Sequence, residues 1–600
     1  MRTGLWFAAI GMYMFSVVGY AQNAPDLRVG ASFHAFDHLH AFGHQAEAAA
    51  ACGVTIIYAS GLGGDGYSGL PPSDEWAKRQ KAEAEYAKHA KELGIPTVLG
   101  YLCSTSIVGL ETFAKNWTPE QRAEFRSTPD TWLQLDVNGK PLASWYGGEY
   151  QPACMNNPDW RSYEKYMVRV QLETGHDGIF FDNPTVHKNG CYCVHCMQGF
   201  ASYLREQGEV PEDGSVEALR KLAQDHSTEF KRYRCTIARD FFKEIRDYAR
   251  TINPNAVITA NNSLNSPSVF YSQNRGFAYN IHEMSKTEDF VVIEDTGTQP
   301  RIMPDGKTIE YGPTYTLLQS IVHNKPVVAV TIAEGDYHTP AHLVQLAMAE
   351  AAAHKASYML WSTWPDDVRP GMISAVRPYA DWLKSHTDLL NASVPRRDVC
   401  LYLPFQRWIE TDECVALRLA AEMRAANIQF EVLSEDDFTE QRAGESRVTL
   451  IESKEVAAEP ASNVLRALEA AGKPVVTAES ATWLDSVRKA IGTPSLTMTG
   501  PATVRAVARD TSTVSVVHLY NLNVQRKSSF EDFVTPAENL VVSVYVPFPS
   551  VKEVRFSSAD AETPSSSIEF TSTASGTGSR VDVAIPKLVV AAMLVIESGA

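Results

Sequence analysis

The feature that most constrains this chain is a recurrence. Eight short apolar runs rich in β-branched residues lie in its first 390 residues, alternating with longer amphipathic stretches. The runs are Leu27–Phe33, Val54–Ser60, Ile95–Leu102, Asp177–Asn183, Ala256–Asn262, Asp289–Asp295, Lys325–Glu334 and Ala356–Thr363. Near-continuous apolar strands separated by helices predict a parallel sheet buried on both faces. The intervening helices carry their own punctuation: the stretch 73–94 opens on a capping serine and stops at a glycine, and the stretch 228–254 ends on a proline. Eight βα units over about 360 residues predict a (β/α)8 TIM barrel with insertions. An open doubly wound sheet is the competing arrangement, but no glycine-rich dinucleotide fingerprint follows the first run.

Two smaller units follow. From Pro395 the pattern is strand, helix, strand, strand, helix, strand, which predicts a small α/β domain of the flavodoxin/amidotransferase-like kind over 393–490. From 491 to 600 alternating strands are separated by Ser/Thr/Gly-rich turns, which predicts an all-β domain, a small sandwich. At the other end, Arg2 precedes the apolar segment Leu5–Val18, and small Gly19 and Ala21 stand before Gln22. This is the pattern of a signal peptide over 1–21, with an uncleaved anchor helix as the alternative, and it leaves 22–392 for the barrel. The expected mature protein is exported, periplasmic or secreted, and outside the membrane, since no other run is long enough to span one. A net charge of -17 argues against a nucleic-acid partner and leaves room for a neutral one such as a sugar.

In such a barrel the chemistry gathers at the C-terminal ends of the strands. The first run ends in "HAFDHLH", which offers His34 and Asp37; its histidines lack the spacing of a helical metal motif. The fourth ends in Asp182 and Asn183, the fifth in Asn261 and Asn262, the sixth in Glu294 and Asp295, and the seventh in Glu334. The eighth ends near Trp361 and Trp364. Carboxylates, amides and indoles on one rim suit sugar binding, because aromatic faces stack on C–H faces while polar groups take the hydroxyls. Paired carboxylates add glycoside cleavage: one protonates the leaving oxygen while the other attacks or activates water. Any one of these acids read alone is as readily a helix cap.

Three cysteines crowd the loop after Asp182: Cys191, Cys193 and Cys196. Three thiolates need a fourth ligand for a tetrahedral zinc site, and Cys154, His187, His195 and Cys235 are the candidates. The alternative is one disulfide and a free thiol. Four sulfur ligands leave no open position, so such a zinc is structural.

The segment "QPACMNNPDWRSY", then a helix, a strand ending in an acid, and "CYCVHCMQGFASYL" resembles the β-galactosidases of glycoside hydrolase family 42. It is similar as well to hydrolase-like barrel proteins of unassigned substrate that share "DGIFFDN" and the same cysteine spacing. The family resemblance implies zinc held by Cys154, Cys191, Cys193 and Cys196, with Asp182 as acid/base and Glu334 as nucleophile. It also implies an α/β trimerisation-like domain and hence a homo-oligomer, trimer or dimer. Two departures stand out: the family's strand-four acid is a Glu preceded by Asn, and its strand-seven motif matches Glu334 only loosely. α-Galactosidase-type barrels instead use a strand-four Asp as nucleophile and a strand-six acid/base, which points to Glu294 or Asp295. The expected function is hydrolysis of a galactoside-like or related glycoside by a carboxylate pair, retaining in mechanism, with no organic cofactor. A non-catalytic carbohydrate-binding barrel is the alternative from another class, and a scaffold or interaction protein a third.

Overall fold

A computed structural model describes residues 24–37, 45–143, 146–209, 214–262, 270–295, 299–333 and 335–599. The expected signal peptide and Glu334 lie outside these residues.

Eight parallel strands form one sheet: β1 (His34–Asp37), β2 (Ile56–Ala59), β3 (Thr97–Cys103), β4 (Gly178–Asp182), β5 (Val257–Ala260), β6 (Val291–Asp295), β7 (Val327–Thr331) and β8 (Ala356–Leu360). Their order is β5-β4-β3-β2-β1-β8-β7-β6. The two ends of that order meet, because Asn261 bridges Val292 in parallel register and the Asp289 amide donates to the Ile258 carbonyl at 2.8 Å. The sheet is thus a TIM barrel. Asn262 seals the seam, its side-chain amide donating to the carbonyls of Ala260 and Val292 and to Glu288.

The first strand begins later than the apolar run suggests. Residues 29–32 form a turn through Gly30, whose φ of 88° is left-handed and whose missing Cβ would sit 2.5 Å from the Leu383 carbonyl oxygen. The run Leu27–Phe33 therefore serves the approach to the barrel, and β1 itself carries His34 and Asp37.

Strand alternation sends one set of side chains into the barrel. Below the mouth this interior is packed with rings. Tyr58 and Phe180 meet edge-on at 5.1 Å, and Phe290 meets His34 at 5.4 Å. Around the barrel, helices bury their apolar faces on the outward residues of the strands.

The second unit is a parallel sheet of β9 (Val399–Leu403), β10 (Phe430–Ser434), β11 (Val448–Ile451) and β12 (Val475–Thr477), in the order β10-β9-β11-β12. That order, 2-1-3-4, is the one found in flavodoxin-like sheets. Beyond it a six-stranded and a four-stranded antiparallel sheet enclose a core of Val, Leu and Ile. The short strand Val394–Pro395 joins this last domain rather than the α/β unit, pairing with Arg509 and Asp510. The C-terminal domain is tied to the barrel by Arg505, which is 2% exposed and donates to both carboxylate oxygens of Glu310. Among the described residues no helix is long and apolar enough to cross a membrane.

Candidate active site

The C-terminal mouth of the barrel holds a cavity of about 290 Å³ lined by Phe36, Tyr101, Phe180, Asp182, Asn261, Val292, Glu294, Val330, Tyr337, Met359 and Trp361. That volume stands at the low end of ligand pockets, roughly 300–1,000 Å³. One sugar ring is the natural scale of occupant.

Asp182 ends β4, directed inward with Phe180 by the two-residue period. Both its oxygens accept hydrogen bonds. Oδ1 takes the Asn183 backbone N–H at 3.0 Å and the Asn261 amide at 3.3 Å. Oδ2 takes the Tyr101 hydroxyl at 3.0 Å and the Asn183 amide at 3.2 Å. Asn183 reaches its neighbour this way because its φ of 51° is left-handed, a conformation Asn tolerates better than most residues. Its own Oδ1 accepts from Tyr146 at 2.7 Å, and its carbonyl accepts from Thr105 at 2.7 Å.

Tyr101 is held through its backbone. The Gln171 side chain accepts from its N–H at 3.0 Å and donates to its carbonyl at 3.1 Å. This approach requires Gly100, where a Cβ would stand 2.1 Å from the Gln171 oxygen.

Glu294 lies across the cavity on β6. The Asn261 side-chain nitrogen donates to Glu294 Oε2 at 2.9 Å as well as to Asp182 Oδ1, so these two oxygens are no farther apart than the two bonds laid end to end, about 6 Å. The Tyr337 hydroxyl donates to Glu294 Oε1. Tyr337 in turn packs at a tilt against Trp361 at 4.5 Å, and Trp361 against Phe36 at 5.1 Å, which builds an aromatic wall beside the acids.

Burial and the nearby Glu294 carboxylate push the Asp182 carboxyl up to about 6, against the pull of its hydrogen-bond donors. The folded protein thus binds this proton more tightly than the unfolded chain. The contribution to stability is present at pH below about 4 and lost as pH rises through about 6.

The structure brings together Asp182, Asn183, Asn261, Glu294 and Trp361. It moves four other expected residues out of the pocket. His34 is fully buried in the barrel floor, bonded to Tyr58 at 2.7 Å, and burial lowers its pKa to about 3. Asp37 faces the other way along β1 and accepts from Tyr86 on the surrounding helix Ser73–Glu92 at 2.5 Å. Asn262 belongs to the barrel seam. Trp364, 4% exposed, packs into the core between strands and helices. In each case the side chain's direction, fixed by where the strand begins or turns, decides the outcome. Of the neighbours on β6, Glu294 lines the cavity; the side chain of Asp295 lies outside the described residues, as does Glu334. Tyr101 and Tyr337 escaped the sequence reading. Tyr101 was within reach of it, since it stands two residues before the last residue of β3 and shares the inward period.

The cysteine cluster joins the loop after β4 to the segment around Cys154. The sulfurs of Cys154, Cys191, Cys193 and Cys196 all lie within 4.8 Å of one another and are buried. Cys154 is 3.5 Å from Cys193 and 3.4 Å from Cys196, far beyond a disulfide bond of about 2.05 Å, and no disulfide is present among the described residues. The donor set and spacing fit a four-sulfur metal site.

No family model matches the chain, and no curated protein matches it in sequence. Solved structures do match in fold. An alpha-L-fucosidase isoenzyme 2 from Paenibacillus thiaminolyticus aligns with a TM-score of 0.60 at 14% identity, over 95% of this chain and 99% of that one. A GH42 beta-galactosidase from G. stearothermophilus aligns with a TM-score of 0.59 at 10% identity, over 97% and 100%. A beta-galactosidase from Bacillus circulans sp. alkalophilus gives 0.57 at 11% identity, over 95% and 99%. At these identities the likeness is one of fold, and it runs through all three domains. The sequence resemblance to glycoside hydrolase family 42 is thereby matched by an architecture of the same kind.

If the charge on Glu294 helps raise Asp182, Glu294→Gln should lower the Asp182 pKa toward the ordinary carboxylate value. Carboxylate infrared titration of Glu294→Gln, with Glu294→Gln/Asp182→Asn subtracted, reads it directly; an unchanged value would leave burial as the sole cause.

Proposed function

We propose that this protein is a retaining glycoside hydrolase in which Asp182 is the nucleophile and Glu294 the general acid/base. The observation that carries the reading is the shared Asn261 amide, which holds two carboxylates at close range on the floor of a sugar-sized, aromatic-walled pocket. A separation of about 5–5.5 Å between carboxyl groups is that of retaining enzymes, and the bound set by Asn261 accommodates it. The four hydrogen bonds into Asp182 favour its anion, the form a nucleophile needs. In the reaction, Asp182 attacks the anomeric carbon while Glu294 gives its proton to the departing glycosidic oxygen. The aglycone alcohol leaves and the sugar remains as an ester on Asp182. Glu294, now ionised, takes a proton from water, which attacks the same carbon and restores the Asp182 carboxylate. The likeness to an alpha-L-fucosidase and to beta-galactosidases makes fucosides and galactosides, which share the galacto-configuration, the first substrates to try.

The roles are separable by experiment. Asp182→Gly should lose roughly three to five orders of magnitude in kcat, and added azide should yield a glycosyl azide of inverted configuration; Glu294→Gly with azide should yield the retained one. For the wild type, kcat/KM should fall as pH drops through about 6, because protonating Asp182 removes the nucleophile. Near wild-type turnover by Asp182→Gly would sink the assignment, and a retained azide from Asp182→Gly with an inverted one from Glu294→Gly would exchange the roles.

We infer in addition that the four cysteines hold a structural zinc. Four thiolates complete its tetrahedron, so the metal ties the loop after β4 to the segment around Cys154 and leaves the chemistry to the carboxylates. Metal analysis of chain purified without chelator should find about one zinc per chain. Cys154→Ser should lower both that content and the thermal midpoint; a zinc content near zero in the wild type refutes the site.

Export of the mature chain after cleavage at Ala21, and assembly as a dimer or trimer through the α/β domain, belong to the same reading. They rest on the signal-like N-terminus and on the family resemblance. Mass analysis of the exported protein should give a start at Gln22, and an intact Met1 would contradict processing there.

A further inference from the structure

Tyr337 touches Glu294, yet the loop that carries it is gripped from outside the barrel. The C-terminal domain sends out a hairpin in which Val524–Arg526 pairs with Asp532–Val534. At its tip, Arg526 donates to Asp336, and the Ser529 hydroxyl donates to Asp336 Oδ2 at 2.7 Å. The other oxygen of Asp336 accepts the His338 backbone N–H at 3.0 Å. The His338 ring stands edge-on to Phe530 at 5.1 Å and reaches the Thr363 carbonyl at 3.1 Å on its other side. At the base of the hairpin, Asp532 accepts from the His342 ring at 2.7 Å and from the Leu343 backbone N–H at 3.0 Å, in the first turn of the helix Ala341–Ala353.

The hairpin thus holds the segment 336–343 at both ends. Residues 336 and 338 turn outward to it, and the residue between them turns inward to the acid. Against the pull of burial, the Ser529 hydroxyl, the His338 backbone N–H and Arg526 keep the Asp336 carboxyl below its ordinary range, so the grip is an ion pair at neutral pH.

We propose that Arg526 and Ser529 are positioning residues for the reaction: through Asp336 they set the Tyr337 hydroxyl on Glu294. The proposal rests on the reading of Glu294 as the acid/base. A hydroxyl donating to a carboxylate favours its ionised form. Loosening Tyr337 therefore withdraws support from the ionised Glu294 and changes its readiness to release and recover a proton. A hairpin that served only to dock the two domains would alter stability and leave those proton transfers as they are.

The test combines kinetics with hydrogen exchange on the full chain. Tyr337→Phe should lower kcat by about tenfold to a hundredfold, with KM changed far less, and move the alkaline limb of kcat/KM to higher pH. Arg526→Ala should shift both in the same directions. The Arg526→Ala/Tyr337→Phe protein should lose no more than Tyr337→Phe alone, because Arg526 acts through that hydroxyl. Arg526→Lys, which keeps the charge, should recover much of the rate. Exchange at the amides of 335–338 should quicken in Arg526→Ala. Ser529→Ala removes one hydroxyl only and should show the same directions at smaller size, which covers the case of a poorly folded Arg526→Ala. Additive losses in the double variant, an unmoved alkaline limb, or unchanged exchange at 335–338 would each overturn the proposal. A wild-type chain that cleaves no glycoside overturns the functional reading instead, and the exchange result then decides by itself whether the hairpin holds the loop.

Discussion

One side-chain amide organises the mouth of this barrel. Asn261 has two N–H groups, and each is directed to a different carboxylate, Asp182 on one strand and Glu294 on another. Two acids brought together under burial repel, and burial together with the charge of Glu294 raises the pKa of Asp182. A neutral donor between them offsets that cost while fixing their spacing. The arrangement depends on the closure of the sheet, because Asn261 is itself the residue that bridges to Val292 where the sixth strand meets the fifth. The seam and the site are one feature: if β5 and β6 parted, the amide would lose its place between the acids.

Much of this was legible beforehand, for a definite reason. The barrel strands are buried on both faces, so each shows as an unbroken apolar run, and the polar residue that ends it stands out. Asp182, Asn261 and Glu294 were found that way. What failed was direction. His34 and Asp37 looked like loop residues because Gly30 turns the chain where the first strand was expected, and the two side chains then point into the barrel floor and out to Tyr86. Adjacent acids on β6 carried no mark of which faced inward, since that depends on register with strands far away in sequence. Asn262 was misread because its amide closes the barrel seam from the outside. Tyr337 was hidden more deeply: its position is set by a hairpin almost two hundred residues further on, and no local pattern records such a contact.

The cysteine cluster shows the same division. Three of its members announce themselves by spacing, while Cys154 stood as one of several candidate fourth ligands that the family resemblance singled out. The fold brings it to within 3.5 Å of Cys193 by way of the turn that starts the helix Pro158–Glu173. That helix also carries Gln171, which holds Tyr101 and through it one oxygen of Asp182. The metal-like cluster and the acid therefore share a support, at opposite ends of one helix.

The ring-packed floor has a further bearing on what can enter. His34, Tyr58, Phe180 and Phe290 pack together in the barrel beneath Asp182. Whatever reaches Asp182 must therefore enter and leave by the same mouth.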